Sequence, residues 1–224
     1  MRIISVNVGV AIAAEWAGRL RRTAIDKQPA GDRVPVRPEG LAGDERADLK
    51  HHGSSDQAVY AYAREDYDWW QERLGRDLRN GRFGENLTTS GVDVNGAVIG
   101  ERWRIGGTLL EVTGPRTPCV VFRNWMDEPG WVKRFTEAGR PGAYLRVVET
   151  GDVGAGDDVR IVARPEHGVT VSDWFLARHG DEDALRRVLT LPGHDPRRDE
   201  RVARSPREPV RSAGQDEPAA APAG

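Results

Sequence analysis

The chain has 224 residues, of which 38% are hydrophobic and 30% charged, so it can bury a full core as one β-rich domain with a small appendage. Its 33 basic and 35 acidic residues are mixed along the sequence and give a formal net charge of −2, which argues against a nucleic-acid partner. A single cysteine excludes an intrachain disulfide, an iron–sulfur cluster held by cysteines and the usual cysteine-rich zinc sites, and it favours a cytoplasmic location.

The apolar N-terminus is predicted to be a strand and not a signal peptide, because Ile4, Val6 and Val8 alternate with Ser5 and Asn7. Further short alternating or β-branched runs are separated by turn residues, and they lie at 34–37, 58–62, 103–105, 108–113, 143–148 and 159–162. Glycines at 106–107 suit a hairpin between two of these runs, and 151–156 suits a hairpin between the last two. These runs predict a mostly antiparallel sheet curled into a barrel. No run approaches the roughly 18 apolar residues of a membrane-spanning helix, so no membrane partner is expected.

Two helices are predicted to cover the sheet, one at 64–74, where Gly75 is placed as a stop, and one at 131–138. After Pro165 the pattern becomes helical, with Thr170 or Ser172 as the cap of a helix at 173–178 and a second helix at 181–190. From about residue 206 the chain is rich in proline and has no aromatic residue, a composition typical of disorder. The predicted domains are a mainly β domain at 1–164, a small helical module at 165–204 and a disordered tail at 205–224.

Cys119 is the first candidate for chemistry. It follows a predicted strand, in a segment where Pro115 and Pro118 limit backbone freedom. Arg116 lies three residues away, and a nearby guanidinium favours the thiolate, the form that attacks electrophiles or binds soft metals. The alternative is a buried cysteine that acts as a small hydrophobic residue, and this segment alone does not decide between the two.

Residues 50–56 concentrate hydrogen-bond donors and small side chains just before a predicted strand, where loops often hold ligands. This segment is predicted to hold an anion. His52 is the favoured contact, because Gly53 beside it permits close approach of a ligand. The alternative is an exposed, solvated histidine.

Residues 82–88 form the other polar segment. Gly84 suits a turn with positive φ, while Arg82, Asn86 and Thr88 offer donors of different geometry that fit a phosphate and a heterocycle. The alternative is a turn whose asparagine satisfies its own backbone and whose arginine is solvated.

Taken in order, five segments resemble the MOSC family, named for the C-terminal domain of molybdenum-cofactor sulfurases. They are Leu41-Ala42-Gly43-Asp44, His52-Gly53 followed by Ala58-Val59-Tyr60, Phe83-Gly84-Glu85-Asn86-Leu87, Ile99-Gly100-Glu101-Arg102-Trp103, and Pro115-Arg116-Thr117-Pro118-Cys119. The resemblance extends from residue 3 to about residue 163, and the helical module beyond is similar to that of the bacterial YiiM-like branch.

This resemblance implies a MOSC-type β-barrel with peripheral helices that holds the molybdenum cofactor, Mo-molybdopterin. Cys119 would be the catalytic residue and the metal ligand. By position, seven residues would contact the cofactor: His52, Gly53, Arg82, Gly84, Asn86, Thr88 and Arg116. The implied activity is reduction of N-hydroxylated bases or amidoximes, with electrons from a separate flavin or iron–sulfur reductase. The chain departs from the family pattern at Ser54-Ser55 and Gln57, where relatives have a glycine and an arginine, and in its short helical module.

Three other functions are compatible with the same residues. Cys119 suits a persulfide carrier that accepts sulfur from a pyridoxal-phosphate-dependent cysteine desulfurase. A non-catalytic carrier of the cofactor would need the same contacts without turnover. A hydrolase built from Cys119 and His52 comes last, because nothing in the sequence indicates that the two side chains meet.

Overall fold

A computed structural model describes residues 1–47 and 54–191 of the chain. Within these ranges the strands are β1 (Arg2–Val8), β2 (Ile12–Ala13), β3 (Arg22–Thr23), β4 (Gln28–Pro29), β5 (Val34–Arg37), β6 (Gly40–Leu41), β7 (Val59–Ala63), β8 (Leu87–Ser90), β9 (Arg102–Ile105), β10 (Thr108–Pro115), β11 (Ala143–Glu149), β12 (Gly151–Val153) and β13 (Val159–Ala163). The helices are α1 (Arg64–Leu74), α2 (Val120–Met126), α3 (Trp131–Ala138), α4 (Val171–Arg178) and α5 (Glu182–Val188), with 3-10 helices at Glu15–Leu20 and Ser55–Gln57.

Eight strands form the main sheet in the order β13-β9-β10-β11-β7-β8-β1-β4. A three-stranded sheet has the order β12-β5-β6, and β2 pairs with β3 in a two-stranded sheet. All pairs are antiparallel except β7 with β8, because the chain crosses over through α1 between these two strands. The mostly antiparallel sheet is therefore confirmed, within a fold that mixes a dominant sheet with several helices.

The expected closed barrel is not found as a continuous ring of paired strands among the described residues. The sheet instead brings β1 against the residues before β13 through one bridge, between Arg2 and Asp158. The Ile3 amide donates to the Asp157 carbonyl at 2.9 Å, and the Gly156 amide donates to the Ile3 carbonyl at 2.8 Å. The sheet is thus coiled far enough for these two segments to meet.

The hairpin expected at 151–156 is wrong. β12 leaves the main sheet and pairs with β5, while β13 pairs with β9. Gly151 permits this path, because a Cβ there would lie only 2.3 Å from the Gly107 carbonyl oxygen in the β9–β10 turn. Arg33 then joins the two segments, since its Nη1 lies 2.8 Å from Asp157 Oδ1 and it also pairs with Asp152.

Three buried clusters hold the sheet and helices together within the described residues, and the smallest of them joins α4 to α5. Aliphatic side chains fill the space inside the coiled sheet, and an aromatic cluster lies under α1, α2 and α3 around Phe83. Phe175 of α4 joins that aromatic cluster, with its ring centroid 6.2 Å from that of Phe135. Helix α4 therefore shares the aromatic cluster with α1 and α3, whereas α5 packs against α4 in a cluster of its own. The predicted boundary at 164 stays a prediction. Residues 192–204 of the predicted module and the tail at 205–224 lie outside the described residues.

Local signals in the sequence account for most helix boundaries. Helix α1 ends at Gly75, which has φ +62 as a left-handed cap. A capping box of Thr170 and Asp173 begins α4, and the Asp181 side chain accepts the first-turn amide of α5. Helix α2 was not predicted. Cys119 directly precedes its first turn.

Candidate active site around Cys119

Cys119 lies where the chain turns from β10 into α2. Its backbone is extended, with φ −123 and ψ 172, and its carbonyl accepts the Arg123 amide at 2.9 Å as the first hydrogen bond of the helix. The thiol is half-buried against the edge of the aromatic cluster and forms no disulfide. It is held at a junction between two regular elements and remains within reach of solvent.

Arg116 is the buried cation beside this thiol. Its guanidinium carbon lies 4.2 Å from the ring centre of Phe122 and 5.1 Å from that of Tyr60, and its Nη1 donates to the Phe83 carbonyl at 2.5 Å. Its Nε is buried with no hydrogen-bond partner among the described residues. Arg116 therefore keeps an unused donor inside the protein.

Tyr144 completes the group. It lies on β11 opposite Gly114, and its ring centroid is 5.3 Å from that of Tyr60. Burial lowers the pKa of Arg116, but the phenols of Tyr144 and Tyr60 and the Cys119 thiol raise it overall, so the guanidinium stays charged. Burial raises the pKa of Tyr144, with Arg116 opposing and Cys119 adding to the shift, so the phenol keeps its proton.

The Tyr144 hydroxyl makes no hydrogen bond within the part of the chain that the structure describes. The sequence did not single out this tyrosine. Its place in the site follows only from strand pairing, because β11 pairs with the end of β10 just before Cys119.

Gly84, one of the predicted site residues, lies next to Arg116. It has φ +78, which confirms the expected turn, and a Cβ there would lie 3.4 Å from Arg116 Nη1 and 3.1 Å from Ile25 Cγ1. Only glycine gives the backbone this conformation without strain while leaving room for the guanidinium.

Arg82 is tied to the side of α2. Its Nη2 donates to the Trp125 carbonyl at 2.9 Å, its guanidinium carbon lies 3.9 Å from the centre of the Trp125 ring, and Trp125 Nε1 donates back to the Arg82 carbonyl at 2.7 Å. Burial and the positive charges of Arg76 and Arg79 lower the pKa of Arg82. Arg76 and Arg79 are paired with Glu128 and Asp26, whereas Arg82 has no ion pair among the described residues.

Asn86 is buried, and both polar atoms of its side-chain amide form hydrogen bonds within the protein. Its Oδ1 accepts the Tyr60 amide at 3.1 Å, while its Nδ2 donates to the Asn7 carbonyl at 3.2 Å and to Asp44 Oδ2 at 2.9 Å. Asp44 also accepts the Gly9 amide at 2.8 Å and pairs with buried Lys27. Burial lowers the pKa of Lys27, and the ion pair with Asp44 opposes this shift. The segments containing Asp44 and Asn86 thus hold each other in place.

Thr88 is engaged in the same way. Its hydroxyl donates to Glu85 Oε1 at 2.7 Å and accepts from Asn7 Nδ2 at 3.1 Å. Fully buried Glu85 also accepts the Tyr67 hydroxyl at 2.6 Å and the Gly81 amide at 2.5 Å. Burial raises the pKa of Glu85, and these hydrogen bonds reduce the shift. Sequence reasoning missed Glu85, whose signal is its position between Gly84 and Asn86 directly before a strand.

The structure therefore brings Cys119, Arg116 and Gly84 together, holds Arg82 against Trp125 of α2, and occupies Asn86 and Thr88 with internal hydrogen bonds. His52 and Gly53 lie outside the described residues. Within 1–47 and 54–191, no group of three or more His, Cys, Asp or Glu could hold a metal ion. No helix in those ranges is long and apolar enough to cross a membrane.

A family model described as the MOSC domain matches residues 48–160, half of the chain. The chain belongs to the MOSC domain family. This MOSC chain is 36% identical over 193 residues to YflK of Bacillus subtilis, which is 84% of this chain and 86% of that protein. It is 34% identical over 161 residues to a protein of Gibberella moniliformis named "Reductase", and the match covers 66% of this chain but 28% of that longer protein. The solved structure of YiiM from Geobacillus stearothermophilus resembles it with a TM-score of 0.71 at 26% identity, covering 90% of this chain and 97% of that chain.

The match confirms the resemblance that the sequence motifs indicated. MOSC domains are associated with molybdenum cofactor binding. Cys119, Arg116 and Tyr144 all lie inside the matched MOSC region, whereas Lys27 and Asp44 precede it.

Proposed function

We propose that this MOSC chain binds the molybdenum cofactor beside Cys119 and reduces N-hydroxylated compounds, of the hydroxylaminopurine or amidoxime type. Electrons would come from a separate flavin or iron–sulfur reductase. The observation that carries the proposal is the buried Nε of Arg116, which has no hydrogen-bond partner in the described part of the chain, next to a half-buried thiol. The family and the relative named as a reductase support the class of activity.

The residues present fit an anionic, metal-containing group. A charged arginine buried without a carboxylate partner is costly, and a bound anion would offset that cost by accepting from the free Nε. A cysteine thiolate is a soft metal ligand. Cys119 would therefore bind the metal, and Arg116 would contact the anionic part of the cofactor.

The remaining predicted contacts divide into two groups. Gly84 and Arg82 would border the cofactor. A side chain at position 84 would press on Arg116, and Arg82 would contribute its positive charge. His52 and Gly53 stay predicted contacts from outside the described ranges. Asn86 and Thr88 are proposed to hold the loops behind the site, since neighbouring residues already bind their polar atoms.

The net reaction takes two electrons and two protons, converts an N–OH group to N–H and releases the oxygen as water. The cofactor, when bound, supplies the two-electron redox chemistry. Tyr144 keeps its proton on the phenol oxygen and has no described hydrogen-bond partner there, so it can donate that proton to the departing oxygen. Arg116 stays positively charged and stabilises the negative charge that develops as the N–O bond breaks. The aromatic cluster behind both residues limits the access of water from that side.

The test is production of the full chain in a host that makes the cofactor, as wild type, Cys119→Ala and Thr117→Ala. Thr117 is the matched control because it is an exposed residue of the same loop. We expect molybdenum, pterin and reduction of benzamidoxime by reduced methyl viologen in the wild type and the control, and loss of molybdenum in Cys119→Ala. Wild-type protein without molybdenum or pterin, from a host that loads another molybdenum enzyme, would overturn the proposal.

A persulfide carrier is the second candidate, because the thiol is solvent-accessible and lies beside a positive charge. Incubation with a cysteine desulfurase and cysteine would then add the mass of one sulfur atom, and Cys119→Ala would lack it. Bound cofactor with no turnover by any reductant would instead identify a non-catalytic carrier.

The finer architecture belongs to the same proposal. We propose that the coiled sheet acts as the MOSC-type barrel and that residues 165–204 form its helical module. The bridge between Arg2 and Asp158 supports the barrel, and the separate cluster that joins α4 to α5 supports the module.

A further inference from the structure

Apolar side chains are exposed next to Cys119. Four apolar side chains there are between 38% and 54% exposed: Trp16, Leu20, Val120 and Ile12 of the adjoining β2. We call these four residues the apolar patch. Soluble proteins expose single apolar residues commonly, but a group of them marks an interaction surface.

Contacts between the 3-10 helix at Glu15–Leu20 and α2 make the patch one surface. The Trp16 ring stacks on Trp125 with centroids 5.6 Å apart, and Asn124 Nδ2 donates to the Trp16 carbonyl at 2.6 Å. A Cβ on Gly18 would lie 3.7 Å from Val120 Cγ1, which places the exposed end of α2 against the 3-10 helix. These contacts hold the patch rigidly beside the candidate active site.

The surroundings of the patch are positively charged. Arg19, Arg21 and Arg123 are exposed, and none of them has an ion-pair partner among the described residues. Glu15 is the acidic residue of the 3-10 helix. In a chain with a formal net charge of −2, this face therefore has the opposite sign to the molecule as a whole.

The position of the patch relates it to the chemistry. Val120 directly follows Cys119 in the chain, and Arg123 lies one turn further along the same helix. A macromolecule seated on the patch would come next to the thiol without entering the protein. An electron donor needs such close approach, and the chain is proposed to obtain its electrons from another protein.

We propose that the apolar patch and the arginines around it are the docking surface for the acidic face of the electron-donating reductase. This inference rests on the proposed function. The donor would be a flavin or iron–sulfur protein that is oxidised by two electrons, and those electrons with two protons convert the N–OH group to N–H and water.

Interface energetics support this occupant. Complexes of electron-transfer proteins are small, below about 1,200 Å² of buried surface, and combine an apolar centre with a charged, solvated rim. Charges at such a rim act mainly on the association rate and its dependence on salt. Reversing two of them should weaken docking and leave the chemistry unchanged.

The experiment compares two electron donors on the cofactor-loaded full chain with benzamidoxime as substrate. One donor is an acidic plant-type ferredoxin kept reduced by its NADPH-dependent reductase, and the other is reduced methyl viologen, which needs no docking surface. The variant is the double change Arg19→Glu with Arg123→Glu. Arg160→Glu is the matched control, because Arg160 is an exposed arginine on β13, away from α2.

We expect the double variant to raise the KM for ferredoxin about 10-fold or more, equivalent to about 1.4 kcal/mol, and to show a weaker dependence on salt. Its rate with methyl viologen and the behaviour of Arg160→Glu should equal the wild type. Binding of ferredoxin to the immobilised chain should weaken in parallel, which gives a readout apart from turnover.

Three results would overturn the docking surface. The first is wild-type turnover with methyl viologen but none with ferredoxin, and the second is an unchanged KM for ferredoxin in the double variant. The third is a wild-type dimer that dissociates in the double variant, which would assign the patch to a second copy of the chain. Absence of turnover with methyl viologen would instead contradict the proposed function.

Discussion

Replacing Thr88 with valine tests whether the buried polar network behind the candidate site acts through structure or through cofactor contact. Thr88 and Thr89 are adjacent on β8 and equally buried, with no exposed surface. The hydroxyl of Thr88 joins Glu85 to Asn7, whereas the hydroxyl of Thr89 has no hydrogen-bond partner among the residues that the structure describes. The same substitution at the two positions therefore removes very different interactions.

The magnitudes follow from these contacts. Thr88→Val removes a hydrogen bond to a buried carboxylate, worth about 1.5–3 kcal/mol, and leaves an Asn7 amide hydrogen without an acceptor, at about 1–3 kcal/mol. The added methyl group recovers about 0.8 kcal/mol, so the expected net loss of unfolding free energy is about 2–5 kcal/mol. Thr89→Val removes an unpaired buried hydroxyl and should be neutral or stabilise the protein by about 1 kcal/mol.

The assay is urea and thermal unfolding of both variants beside the wild type, with the molybdenum content measured on the same preparations. At about 2–4 °C for each kcal/mol in a protein of this size, the two variants should differ in Tm by roughly 4 °C or more. Equal stabilities of the two variants would refute the assignment of Thr88 to the network. A Thr88→Val protein that keeps its stability but loses molybdenum would show that Thr88 contacts the cofactor directly.

Two further predictions concern Tyr144 and Asp173. Tyr144→Phe should change the unfolding free energy by less than about 0.5 kcal/mol, keep its molybdenum and lower methyl viologen-driven turnover about 10²- to 10⁴-fold, as expected for loss of a proton donor. Tyr60→Phe, whose hydroxyl donates to the Pro141 carbonyl at 2.8 Å, should show the converse, a loss of about 1 kcal/mol in stability. Partial burial raises the pKa of Asp173, but hydrogen bonds at the start of α4 lower it overall below the ordinary value of 3.8. This carboxylate therefore adds stability above pH 3.8, and its contribution is lost as the pH falls through the folded-state pKa. Acid unfolding below about pH 4 should therefore be less steep in Asp173→Asn, and an unchanged profile would contradict the assignment.

Secondary structure was predictable from sequence where the signal is local. Helix α1 has the predicted bounds because acidic residues and Gly75 mark its two ends. Helix α2 was missed because Pro118 and the β-branched pair Val120-Val121 favour an extended chain. Its helical form depends on burial of Phe122 in the aromatic cluster, which only the fold provides.

Strand pairing was less predictable, because it depends on distant segments. The wrong hairpin at 151–156 shows this, since the partner of β12 is β5, more than a hundred residues earlier in the chain. The turn chemistry at Gly151 to Gly156 is compatible with either path. The observed path buries Val153 with Val34 and Val36 and pairs Arg33 with Asp152 and Asp157, contacts that no local pattern reveals.

The candidate site shows the same division. The proximity of Arg116 to Cys119 and the positive φ of Gly84 were predictable, because short spacing and a glycine carry that information. Tyr144 was not predictable, since it reaches the site through the register of β11 on β10. Glu85 was missed for another reason, because a buried carboxylate cannot be distinguished from an exposed one until its hydrogen-bond donors are known.

The hydrogen-bond partners of the motif residues separate two roles that the sequence does not distinguish. Asn86 lies in one of the segments that identify the family and Thr88 follows that segment directly, yet their polar atoms are bound by Tyr60, Asp44, Asn7 and Glu85, which leaves little capacity for a ligand. Arg116 is buried, and its Nε has no hydrogen-bond partner within residues 1–47 and 54–191. Because a buried donor without a partner is costly, such a donor persists where a ligand completes it or where function requires the strain. Changes to the satisfied residues should therefore reduce stability first and binding only as a consequence, whereas Arg116→Met should release cofactor from a protein that still folds.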